Sequence, residues 1–193
     1  DGSSSANMLT FKPDKDKYVP GEQIVVTFPS VKGSRAIISI ENGTRVLLTT
    51  EHVCNDGQTT VKLAVTSDMQ PNAYTYITLL QPHGVTKNDL PIRMYGVVPF
   101  TVTSPESHLA PIIHMADEVK PEAPCHVMVS EKNGREMAYT LAIVDEGLLD
   151  LTRFRTPDPW QAFNAREALG VNTWDLYNYV VGAYGGRIEH LFN

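Results

Sequence analysis

Cysteine is scarce in this chain, positive charge never gathers, and no hydrophobic run is long. Cys54 and Cys125 are the only two cysteines. One pair so far apart makes no disulfide framework and lacks the C-x-x-C spacing of a metal site. Both read as small buried hydrophobes. The longest apolar stretches reach about seven residues, far short of the roughly 20 that a transmembrane helix needs. Sixteen basic residues face 22 acidic ones, for a net charge of −6. They are spread along the chain, so neither nucleic acid nor an anionic membrane surface is an expected partner.

Catalytic vocabulary is equally thin. His52, His83, His108, His114, His126 and His190 form no H-E-x-x-H pair and have no paired cysteine companion, so the spacing of metal ligands is missing. His114 and His126 could meet across adjacent strands, but strand-edge histidines more often face solvent. There is no G-x-S-x-G elbow, P-loop or G-x-G-x-x-G. Asp145 and Glu146 cannot face one substrate together from a strand, because neighbours on a strand point to opposite sides. Asp145-Glu146-Gly147 reads instead as a hairpin turn. Trp160, Phe163, Trp174 and Tyr177 read as core contacts rather than a ligand platform. The expectation is therefore a non-enzyme with no catalytic, cofactor-binding or metal-binding residues and no cofactor.

What is present is a β-rich, ordinary globular text, 42% hydrophobic and 20% charged, with 193 residues suiting two sandwiches of about 100 residues each. Asp1–Asn7, DGSSSAN, reads as a flexible leader that lacks the basic and apolar regions of a targeting signal. Strands are expected at Ile24–Phe28, Ala36–Ile40, Val46–Thr50, Val61–Val65, Tyr74–Leu80 and Val97–Val102, with turns every 8 to 12 residues. Asn42-Gly43 between two apolar runs predicts a type I′ hairpin. Asn42-Gly43-Thr44 is also formally a glycosylation sequon.

The second half repeats the first. Leu9-Thr10-Phe11-Lys12 is echoed by Leu109-Ala110-Pro111-Ile112, and Pro20-Gly21-Glu22 by Pro121-Glu122-Ala123. Ile40 to Leu47 is echoed by Val144 to Leu151. Three matches in order, at offsets of 100, 101 and 104 residues, indicate a tandem duplication. The boundary is expected near Thr103–Ser107, where Ser104-Pro105 ends a strand. After Leu151 the strand pattern stops. Asp158-Pro159-Trp160-Gln161 has the N-cap, N1 proline and N3 glutamine of a helix start; this helix is expected to run through Glu167 and stop near Gly170. A second start at Asn172-Thr173 leads to Trp174, Tyr177 and Val180 on one face. Only about three strands of the second copy are present.

Pro71 to His83, Asn88 to Pro99, Val129 to Arg135, Leu141 to Thr152 and above all Thr156 to Val171 resemble the alpha-2-macroglobulin family, bacterial branch. The resemblance covers nearly the whole chain from Met8. It implies an all-β fold of tandem fibronectin- or immunoglobulin-like sandwiches: one at residues 8–104, and an incomplete one with short helices at 105–193 that leads into a bait region. Gly185, Gly186, Arg187 and Ile188 would begin that bait segment. The implied role is a structural part of a large protease-trapping inhibitor. The implied partners are neighbouring domains of the parent chain and the proteases it traps, with this portion monomeric and touching no membrane. The parent would be exported and lipid-anchored in the cell envelope, periplasmic or at the cell surface. The family's Cys-x-Glu-Gln thioester motif is absent from this chain. Two other classes compete: an extracellular ligand-binding or adhesin-type sandwich, and an accessory domain of a hydrolase, which would need clustered titratable groups in a cleft.

Overall fold

A computed structural model describes residues 8–81 and 93–172. The described residues from Lys12 to Val102 form a sandwich of two sheets. One holds β1 (Lys12–Pro13), β3 (Gln23–Ser30) and β6 (Gly57–Ala64), in the order β1-β3-β6. The other holds β2 (Lys17–Tyr18), β4 (Arg35–Glu41), β5 (Val46–Val53), β7 (Asn72–Leu80) and β8 (Arg93–Val102), in the order β2-β8-β7-β4-β5. All pairings in the sandwich's named strands are antiparallel except β2 with β8, where Lys17 lies opposite Thr101. Between β1 and β2 the chain steps from one sheet to the other. The six expected strands all form.

Alternation decides which residues meet between the sheets. Ile24, Val26 and Phe28 of β3 and Ala36, Ile38 and Ile40 of β4 point inward and are buried. Val61 and Leu63 of β6 and Ala73, Ile77 and Leu79 of β7 complete the layer. Burial of each large aliphatic side chain contributes about 1.5–3 kcal/mol, so this cluster is what holds the sandwich together. Gly96 of β8 is fixed by proximity: a Cβ there would meet the Leu9 carbonyl oxygen. The turn into β3 is type II, with Pro20 second, Gly21 third at φ +95° and Glu22 N–H donating to Val19 O at 3.1 Å.

The β4–β5 hairpin is present, but its turn differs from the type I′ expectation. Neither Asn42 nor Gly43 has the left-handed backbone that such a turn requires. The loop is four residues, Asn42 to Arg45, and the Asn42 side chain organises it. Its Oδ1 accepts from the backbone N–H of Thr44 and of Arg45, both at 2.9 Å. This local bond replaces the left-handed turn.

Beyond the linker the described residues hold one two-stranded sheet and two short helices. β9 (Pro111–His114) pairs antiparallel with β10 (Met128–Glu131), as β1 pairs with β3. Leu141, Ile143 and Val144 belong to no sheet among the described residues and are 47%, 72% and 44% exposed. The hairpin expected at Asp145-Glu146-Gly147 is instead the start of α1 (Glu146–Thr152), with Asp145 Oδ1 accepting from Gly147 N–H at 2.9 Å. Without a strand beside it, this stretch satisfies its backbone locally, and an aspartate N-cap ahead of leucines favours a helix. Helix α2 starts as expected, with Asp158 as N-cap and Pro159 first, but it spans only Pro159–Phe163. The chain then leaves the helix for bonds to the first sandwich. Phe163 is 85% exposed rather than a core contact. Cys54 is buried as expected, whereas Cys125 is exposed. His114 and His126 are exposed.

Candidate functional site: a strap clasped to the first sandwich

The outward face of the five-stranded sheet should be wet, yet one corner of it is buried. Asn72 and Tyr74 of β7 point away from the core, because their neighbours Ala73 and Thr75 point into it. Tyr74 lies opposite Glu41 of β4, which shares that outer face with Ser39. All four are less than a tenth exposed. Ser39 Oγ donates to Glu41 Oε1 at 2.5 Å.

The extended run Arg166–Gly170, here called the strap, crosses this corner. Asn72 Nδ2 donates to the Glu167 carbonyl oxygen at 3.0 Å, and Glu167 N–H donates to Asn72 Oδ1 at 2.7 Å. Tyr74 Oη donates to the same carbonyl at 2.8 Å. The Arg166 guanidinium lies 6.0 Å from the Tyr74 ring centroid, in reach of a cation–π attraction. At the far end two glycines touch. A Cβ on Gly170 would come within 1.8 Å of the Gly43 carbonyl oxygen, and a Cβ on Gly43 would come within 2.7 Å of Glu167 Oε2. The Gly170 contact is with backbone and leaves no room for a side chain, whereas the Gly43 contact is with the end of a side chain that can swing aside. Beside the clasp is an open recess of about 210 Å³ lined by Asp16, Asn72, Pro99, Phe100, Thr101 and Arg166.

The linker at 105–110 is the second point of attachment. Arg135 donates to the carbonyls of Glu106 at 2.5 Å and His108 at 2.8 Å, and to Glu131 Oε1 at 2.8 Å. The buried Glu131 carboxylate also accepts from the backbone N–H of Ala110 at 3.2 Å, Asn133 at 2.6 Å and Arg135 at 3.3 Å. The Arg135 hydrogen bond, helped by these backbone donors against the cost of burial, holds the Glu131 carboxyl at about 2. On the other side of the linker, the Trp160 indole N–H donates to Ser107 Oγ at 3.0 Å, and its ring packs edge-on against His108 at 4.8 Å. Hairpin β9–β10, helix α2 and the strap are thus tied into one arrangement with the first sandwich.

This arrangement binds chain to chain. Among the described residues no group of three or more His, Cys, Asp or Glu is placed to hold a metal. No helix of the described residues is long and apolar enough to cross a membrane. Gly185, Gly186, Arg187, Ile188, the second expected helix with Trp174 and Tyr177, and His83 and His190 lie outside the described residues. The residues that do form the clasp were legible only in local roles: Asn72 after Pro71, Tyr74 at the start of a strand, Gly43 in a hairpin, Gly170 at a helix end. Their meeting spans 95 residues of chain, and no local periodicity reports it.

The sequence profile of the alpha-2-macroglobulin bait region domain matches residues 9–151. The chain belongs to the bacterial alpha-2-macroglobulin family. It is 27% identical over 182 residues to the alpha-2-macroglobulin of Xylella fastidiosa, covering 92% of this chain and 11% of that protein. To the Escherichia coli K12 alpha-2-macroglobulin it is 26% identical over 196 residues, covering 96% of this chain and 12% of that one. The cryo-EM structure of native E. coli alpha-2-macroglobulin superposes with TM-score 0.50 at 22% identity, over 85% of this chain and 11% of that chain. A Salmonella alpha-2-macroglobulin reacted with methylamine gives TM-score 0.50 at 20% identity over the same shares. These two likenesses concern the fold. The chain spans about a tenth of the length of these relatives.

Proposed function

We propose that this chain is a structural part of a large protease-trapping inhibitor, divided into a sandwich at 8–104 and an incomplete one at 105–193. In this reading its work is to hold a cleavable segment that begins at Gly185-Gly186-Arg187-Ile188. The observation that carries it is the clasp on Glu167: the strap fixes the chain to the first sandwich eighteen residues before Gly185. Everything downstream therefore leaves from an anchored point, which is the requirement for a segment whose cutting is to be felt by the domains around it. The open second unit adds support, since the exposed Leu141, Ile143 and Val144 present apolar surface that neighbouring domains of the parent chain would cover. The partners in this reading are those domains and the trapped proteases. The parent resides in the cell envelope and is lipid-anchored.

Limited proteolysis of the parent protein tests the proposal. Several proteases of unrelated specificity are each expected to cut first just after Gly186, within the few residues each can use there, as read by mass spectrometry. Uniform resistance of that stretch, with first cuts scattered elsewhere, would remove the bait assignment.

A further inference from the structure

The clasp reads main chain rather than side chain. A carboxamide both donates and accepts, so Asn72 offers Glu167 the same pair of bonds that a neighbouring strand would. Tyr74 reinforces one of them on the same carbonyl. Nothing in these three bonds depends on residue 167 being glutamate. Selectivity enters three residues later, where the approach to Gly43 admits only a residue without Cβ. Asn72 is almost fully buried beneath the strap, so lifting the strap would expose its carboxamide and hand its two bonds to water.

We propose that the corner formed by Asn72, Tyr74 and Gly43 is a peptide-binding cradle for an extended segment with glycine three residues after the clamped one, occupied in cis by Arg166–Gly170. Occupancy latches the second unit onto the first. Because recognition is of backbone plus one glycine, the cradle accepts any extended peptide of that form once the resident strap is lifted. Within the intact chain the strap has the advantage of high effective concentration, set by the short connection from the linker through α2. The inference does not depend on a protease-trapping role.

The test uses the full 193-residue chain and a synthetic peptide of residues 164–172. Gly170→Ala is expected to lift the strap, seen as loss of hydrogen-exchange protection at the Glu167 amide. The wild-type peptide should then bind this variant, followed by chemical-shift changes at the Asn72 side-chain amide. Binding should be about tenfold or more weaker to the unaltered chain, whose cradle is filled, and to Asn72→Ala/Gly170→Ala, which has lost two of the bonds. A peptide carrying Glu167→Gln should bind as well as the original, and one carrying Gly170→Ala should not. Equal binding to the double variant, or equal binding of the Gly170→Ala peptide, overturns the cradle. A protected Glu167 amide in the Gly170→Ala chain overturns the coupling between clamp and glycine contact. Should Gly170→Ala unfold, Asn72→Ala alone serves: Glu167 must lose protection while the amides of β3 and β4 keep theirs.

Discussion

Replacing Tyr18 with phenylalanine removes one oxygen and little volume, which makes it a sharp probe of how the two sheets are joined. Tyr18 is 1% exposed and sits on β2, the parallel edge strand beside β8. Its ring packs edge-on against Phe100 at 5.6 Å, and phenylalanine keeps that contact. The hydroxyl donates to Asp14 Oδ1 at 2.7 Å and accepts from Lys15 N–H at 3.0 Å. The same Asp14 oxygen accepts from Val25 N–H at 2.8 Å, so this triangle bridges β2 to β3 of the opposite sheet. A hydrogen bond to a charged acceptor contributes about 1.5–3 kcal/mol. With an m-value of about 2 kcal/mol per molar urea, a loss of 2 kcal/mol moves the midpoint down by about 1 M. Far-ultraviolet circular dichroism is the suitable probe, because the sequence from Met8 to Ser104 contains no tryptophan. A double-mutant cycle with Asp14→Asn should show coupling between the two positions. An unchanged midpoint with no coupling would refute the argument that this triangle joins the sheets.

Two further predictions concern titration and reactivity. Arg135 and three backbone donors hold the Glu131 carboxyl at about 2, against its usual 4.5. The native state therefore binds its proton less readily than the unfolded chain does. Its stabilising contribution is full above about pH 4.5 and is lost as pH falls toward 2. Exchange protection at the Asn133 and Arg135 amides should decline across that window, and Glu131→Gln should abolish the pH dependence while lowering protection throughout. The two thiols should separate cleanly: Cys125 is exposed, while burial raises the pKa of the buried Cys54 thiol. A thiol-specific reagent should titrate one cysteine in the native chain and two in denaturant, and rapid native labelling of Cys54 would contradict the packing of the sandwich.

Local pattern was enough for the first sandwich. The β-branched and apolar runs Ile24–Phe28 and Ala36–Ile40 state that a strand forms, and in Val61–Val65 the alternation with Lys62 and Ala64 also states which face is buried, since the side-chain period of a strand is two. Turn chemistry was less transparent. Asn42-Gly43 announces a hairpin, but the Asn42 side-chain bonds select a four-residue loop over the two-residue turn, and Gly43 serves the strap rather than a left-handed backbone. Val144 to Leu151 repeats the text of Ile40 to Leu47, yet one is a helix start and the other a hairpin. The difference lies in the neighbours: β4 has β5 and β7 beside it, while the Leu141–Val144 run has no strand beside it among the described residues, and the chain from Asp145 onward turns to the local bonds of α1.

By itself, then, the sequence determined the six longer strands of the first sandwich, the inward face of Val61–Val65, the N-cap of α2 and the family resemblance that the profile match bears out. These rest on short-range periodicity, capping and contiguous wording, all carried within a few residues. Only the tertiary structure decided where α2 ends, why Gly170 lacks a side chain, and that Asn72 and Tyr74 hold Glu167 from 95 and 93 residues away. A hydrogen bond between distant segments leaves no period in either one, because its partners are chosen by the fold and not by the residues alongside them.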